Sequence, residues 1–119
     1  MTDPYREEFY RFERAMRARY EPPIPVDYQL DECRRLLYAA LDKDANWPVY
    51  VSTGEGRTGT CTFIGDAFIV GLPPKRRRPW AVLHEAAHVL TWGDGHGPTF
   101  QRECRNLWAR FGVWHGRAA

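Results

Sequence analysis

The sequence predicts an α+β domain with two N-terminal helices, a small and mainly antiparallel sheet, and two further helices. Three observations point there. Apolar residues recur at three- and four-residue spacings over 4–20 and again over 28–42, the period of an amphipathic helix. Beyond Asn46-Trp47-Pro48 that period gives way to short apolar runs punctuated by glycine, as strands require. Pro79 and Pro98 then each open a new helical run. Helices, sheet, then helices is the order of an α+β fold. With 119 residues, 44% of them hydrophobic and 27% charged, the chain has one domain's worth of core and a globular composition. A single domain over 1–119 is expected, with a helical part over 1–47 and the sheet and remaining helices over 48–119.

Each element has a local cause. Asp3 can cap the first helix, Pro4 suits its first turn, and Glu7 and Glu8 complement its dipole. Tyr5, Phe9, Phe12, Met16 and Tyr20 form an aromatic-rich stripe along it, which reads as a core face. The segment Glu21-Pro22-Pro23-Ile24-Pro25 cannot remain helical and is read as an extended connector. Asp27 can cap the second helix, which would bury Leu30, Cys33, Leu37 and Leu41. Strands follow over 49–53, 60–64 and 67–72, the last two joined by Gly65-Asp66 as a two-residue hairpin turn. Pro73-Pro74 ends the sheet.

Several classes of protein are excluded at once. The longest apolar run, Leu36 to Leu41, is far shorter than the roughly 18 residues a membrane span needs. Charges throughout the first twenty residues leave no secretion signal, so a cytoplasmic protein with no membrane partner is expected. Cys33, Cys61 and Cys104 are an odd, scattered set, which excludes a disulfide scaffold and fits a reducing compartment. The net charge of +2 is divided unevenly: residues 1–60 hold 9 basic and 11 acidic side chains, residues 61–119 hold 8 and 4.

The chemistry lies in His84-Glu85-Ala86-Ala87-His88. Four residues apart on a helix, the two imidazoles point the same way and can share one Zn²⁺. Glu85 stands beside them as a base for a zinc-activated water. With 4 His and 8 Glu in the chain, random order produces this pattern in roughly one such sequence in a hundred. A catalytic zinc needs a third protein ligand and an open fourth position. Gly93-Asp94-Gly95-His96-Gly97-Pro98 can reverse the chain and return His96 to the metal. Asp94 and Glu103 are rivals: Asp94 lies at the metzincin spacing, where Thr91 replaces the glycine that spacing needs, and Glu103 lies on the following helix. His115 falls in the tail and is read as solvated.

His84-Glu85-x-x-His88 followed by His96-Gly97-Pro98-x-Phe100 resembles the SprT-like (Spartan-like) zinc metallopeptidases, in particular the short actinobacterial and phage metallohydrolases of that kind. The similarity covers residues 67–111. It implies a minimal zincin-like fold, Zn²⁺ bound by His84, His88 and His96, Glu85 as catalytic base, and a protein or peptide substrate. Many SprT-like proteins also carry a cysteine zinc ribbon or DNA-binding segments. These 119 residues hold no such ribbon, so crosslink repair on DNA is not part of the expectation.

Two weaker features complete the reading. Strand 67–72 precedes the active-site helix, and a free edge there would pair with an extended substrate, making Phe68, Val70 and Gly71 candidate substrate-binding residues. An interior strand is the alternative, since both of its faces are apolar. The run Lys75-Arg76-Arg77-Arg78 sits at a lip of the expected cleft, where it could meet nucleic acid or an acidic substrate. The leading expectation is peptide hydrolysis. A nucleic-acid-associated module with structural zinc is the alternative, and a fourth protein ligand would mark it.

Overall fold

In a computed structural model, which describes residues 3–20, 29–42, 48–54, 56 and 58–114, the helices and strands fall close to where the sequence puts them. The chain runs α1 (Arg6–Tyr20), α2 (Leu30–Leu41), β1 (Val49–Ser52), β2 (Thr60–Ile64), β3 (Ala67–Gly71), a 3-10 turn (Pro74–Arg76), α3 (Pro79–Leu90) and α4 (Pro98–Arg110). Asp3 caps α1 by accepting the Tyr5 N–H on its carboxylate at 3.0 Å. At the start of α2 the N-cap is Gln29, whose N–H donates to the Glu32 carboxylate at 3.0 Å. Asp27, the cap expected from sequence, lies outside the described residues, as do the 21–25 connector and His115. No helix among the described residues is long and apolar enough to cross a membrane.

The sheet is mixed, not mainly antiparallel. Its order is β1-β3-β2, with β1 parallel and β2 antiparallel to β3. A two-residue turn forces β2 and β3 to run in opposite directions, and Gly65 takes the positive φ of 61° at its first position. No such turn joins β1 to its neighbour, so its direction is free. The glycine-rich loop carries the chain past β3 to the far side.

That order overturns the expected substrate edge on β3. Phe68 pairs with Val49 and Phe63, Val70 with Val51 and Cys61, and Gly71 with Ser52 and Thr60. Both backbone edges are therefore taken, and Phe68, Val70 and Gly71 are buried. A strand apolar on both faces loses most water-exposed surface in the middle of a sheet, which is why it lies there. The space at Gly71 belongs to its own neighbours: a Cβ there would fall 2.6 Å from Thr60 Oγ1 and 3.2 Å from Gly54 Cα. Val70→Pro should accordingly destabilise the domain by at least about 3 kcal/mol in a denaturant titration. A variant with unchanged stability would return β3 to an edge.

Helix α3 packs against both α2 and α4 and reaches β2. Trp80 to Ala87 and Val89 are all buried, including the face that carries chemistry. A helix apolar nearly all round must sit at the centre of a fold, and this one does. The indole N–H of Trp108 on α4 donates to the Trp80 carbonyl on α3 at 3.0 Å. Helix α1 joins the core through its aromatic stripe, Phe9 stacking on Trp108 with ring centroids 5.7 Å apart and meeting Phe100 edge-on at 5.2 Å.

Candidate metal centre

The structure brings His84, His88 and His96 together. One ring nitrogen from each lies within 4.8 Å of the others, a spacing at which one metal ion could touch all three. His84 and His88 meet because they are one turn apart in α3, with ring centroids 4.9 Å apart. His96 arrives from the reversal after α3, where Gly93 and Gly95 take φ of 101° and 61°. Its ring then lies 4.8 Å from that of His88 and 5.4 Å from that of His84. Phe100, the last residue of the His96-Gly97-Pro98-x-Phe100 motif, is the floor of the site. It stacks on His88 at 4.2 Å and touches His84 and His96 edge-on at 5.1 and 5.0 Å.

The rival third ligands do not join this group. Asp94 accepts the Phe100 N–H at 2.9 Å and so caps α4 from the reversal loop. Glu103 lies partway along α4, outside the cluster.

Two carboxylates that sequence patterns do not place at the site hold the imidazoles. Glu13 Oε2 lies 2.6 Å from His84 Nδ1, and both side chains are buried. Asp3 Oδ2 lies 2.7 Å from His96 Nδ1 and also accepts the His96 backbone N–H at 2.7 Å. An ionised carboxylate only accepts, so Nδ1 carries the proton in each ring and Nε2 is left with its lone pair. That is the tautomer a metal requires, and carboxylates commonly hold metal-binding histidines in this way. Glu13 had one visible signal: it lies one turn beyond Phe9, within the apolar arc of α1, where a carboxylate needs a partner. Asp3 had none, because capping already accounts for it.

The donor set fits a metal ion. His96 Nε2 is buried and has no hydrogen-bond partner. An orphaned buried nitrogen lone pair is costly unless something binds it. Burial, with His84 and His96 beside it, drives the His88 pKa down to about 2, which keeps that ring neutral and able to ligate. Burial also lowers the pKa of His96, although the Asp3 hydrogen bond opposes it. For His84 burial acts downward, but the Glu13 carboxylate outweighs it and raises the pKa.

No protein-family model, curated protein or solved structure matches this chain.

Glu85 shares the buried face with the histidines and is only 6% exposed. Burial raises its pKa from 4.5 to about 7, against the opposing pull of His84. Gly59, just before β2, lies over it: a Cβ there would sit 2.7 Å from Glu85 Oε2. Any other residue would push the carboxylate aside. The basic run 75–78 is divided in its roles. Arg77 Nε donates to the Leu72 carbonyl at 3.0 Å, Arg76 lies over the Trp80 ring at 5.4 Å, and Lys75 is exposed. Cys61 is held as a thiol, burial and the nearby Glu85 pushing its pKa up to about 12, so it is no nucleophile.

Proposed function

We propose that the protein is a zinc-dependent peptidase of the SprT-like type, hydrolysing peptide bonds with Glu85 as general base. The observation that carries this reading is the convergence of three imidazoles, two of them buried and held in the ligating tautomer by carboxylates, next to a buried Glu85. Three imidazole ligands leave the open position that hydrolysis needs, whereas structural zinc is enclosed by four protein ligands. Asp94, a rival ligand in the sequence, is engaged in capping α4.

His84, His88 and His96 would hold the ion. Bound there, zinc would supply Lewis acidity toward a water and a substrate carbonyl. Glu85, beside the histidines on α3, would take the proton of the attacking water and return it to the leaving nitrogen. Asp3 and Glu13 keep two of the imidazoles fixed while this happens. An extended substrate would pair with β2, an edge strand whose entry at Gly59 lies against Glu85. Cytoplasmic action on unfolded or peptide segments fits such sequence-tolerant pairing.

The test is reconstitution. Tag-free protein should hold about one zinc per chain. It should cleave an unfolded protein or peptide, lose activity to a chelator and regain it with zinc. Failure of the metal-free protein to take up any zinc would end this proposal.

A further inference from the structure

Tyr10 lies outside the aromatic stripe through which α1 joins the core. It stands at the metal centre instead. Its half-buried ring meets the His96 ring edge-on, with centroids 4.9 Å apart, and lies 6.0 Å from the His84 ring. It also lines a cavity of about 160 Å³ together with His84 and Glu85. A phenol is thus set against two of the three histidines and opens into the same space as the general base.

Its neighbours on α1 fix its place. Glu13, one turn further on, lies 2.6 Å from His84, and Asp3, before the helix, lies 2.7 Å from His96. These two anchors flank Tyr10 in the chain, so the segment that carries it cannot slide along the site without breaking one of them. Arg6, one turn back, interacts with the phenol through its guanidinium, whose carbon lies 5.4 Å from the Tyr10 ring centroid. A guanidinium only donates, so the phenol keeps its own proton for another acceptor. Arg17 and Arg76 line the same cavity but lie over the Trp80 ring, one turn before His84.

We propose that Tyr10 is a catalytic residue, its hydroxyl donating a hydrogen bond to the substrate carbonyl oxygen as negative charge builds there. The role rests on the peptidase reading, which supplies the carbonyl. In the addition step the water oxygen bonds to the carbonyl carbon, the π pair of C=O moves onto its oxygen, and the water's proton passes to Glu85. Tyr10 gives up no proton and shares its own with the new oxyanion. When the C=O bond re-forms, the C–N bond breaks and the nitrogen takes the proton from Glu85. A donor fixed before the charge appears needs no reorientation, so it favours the transition state over the bound substrate.

Tyr10→Phe keeps the ring against His96 and removes only the hydroxyl, whereas Tyr10→Ala removes both. With fluorescein-labelled casein as substrate, Tyr10→Phe should lower kcat by about 10²–10³-fold with KM nearly unchanged. Tyr10→Ala should fall at least as far, and Tyr5→Phe, exposed at the start of α1, should match the parent. A second readout needs no turnover. Cobalt-loaded protein is titrated by its visible absorption with acetohydroxamate, which presents anionic oxygen, and with 2-mercaptoethanol, whose sulfur is a weak acceptor. Tyr10→Phe should bind acetohydroxamate about tenfold more weakly than the parent, with 2-mercaptoethanol binding and zinc affinity unchanged. A purely structural ring predicts another pattern: Tyr10→Phe like the parent in both assays, with Tyr10→Ala losing zinc or fold. That pattern, or a Tyr10→Phe loss confined to KM, would overturn the assignment. So would weaker binding of both probes or of zinc, since the hydroxyl would then be supporting the histidines. Acetohydroxamate that leaves the parent's spectrum unchanged would overturn it as well. Casein cleaved equally by parent and Tyr10→Phe sinks the tyrosine and spares the peptidase. Acetohydroxamate binding that depends on Tyr10, in a protein that cleaves nothing, keeps the donor and sinks the peptidase.

Discussion

Glu85→Gln should abolish hydrolysis, leave the metal in place, and make the metal-free protein more stable. Loss of a general base costs roughly 10²–10⁴ in rate, and glutamine keeps the size of the side chain it replaces. The stability gain follows from where the carboxylate sits. Burial raises its pKa from 4.5 to about 7, so between those values the folded chain binds a proton that the unfolded chain does not. Stability therefore falls as pH rises through that window, by about 1.4 kcal/mol for each pH unit crossed. Glutamine, neutral at every pH, escapes the loss. The variant and its parent should match below pH 4.5, and the variant should lead by about 3 kcal/mol above pH 7. Denaturant titrations of chelated protein at both ends of the window measure this directly. Equal stability at high pH would mean that the carboxylate reaches water. Retained hydrolysis would mean that another group carries the proton.

The parts of this site that local rules govern were legible in the sequence. Two histidines four apart on a helix must share a face whatever the rest of the chain does, and Gly93, Gly95 and Pro98 mark a reversal that returns His96 to them. The hairpin at Gly65-Asp66 was legible for the same reason. Other features depend on how distant segments meet. Glu13 lies 71 residues from His84, and Asp3 lies 93 residues from His96. Nothing in the spacing of α1 says which helix its stripe will pack against, so Phe9 read as core while its neighbours' hold on the histidines stayed hidden. The order of the strands is non-local in the same sense. Apolar character on both faces of 67–72 was the one clue that β3 is central, and chain adjacency to α3 pointed the other way. The open edge nearest Glu85 belongs to β2, reached through the close approach of Gly59, which no periodicity displays.

Weakening α1's grip on the histidines should therefore weaken the metal. Glu13→Gln keeps the size of the side chain and an oxygen that can accept from His84 Nδ1, but removes the charge that makes that imidazole a stronger donor to zinc. Asp3→Asn does the same at His96. Each should lower zinc affinity by about 10–100-fold, the usual effect of removing a group that orients a metal-binding histidine. The two act on different rings from opposite ends of α1's contact with the site, so their effects should combine to roughly 10²–10⁴ in the double variant. Asp3→Ala should fall at the stronger end, because it also removes the acceptor for the Tyr5 N–H and costs about 1 kcal/mol of capping. Competition against a chromogenic chelator gives the affinities, and denaturant titration of the metal-free variants separates loss of fold from loss of ligand orientation. A single role for α1 as packing predicts a different pattern: lower stability with zinc affinity unchanged once the protein is folded. Lower affinity at near-parental stability in Glu13→Gln instead makes the first helix part of the metal centre, joined to it by two carboxylates ten residues apart.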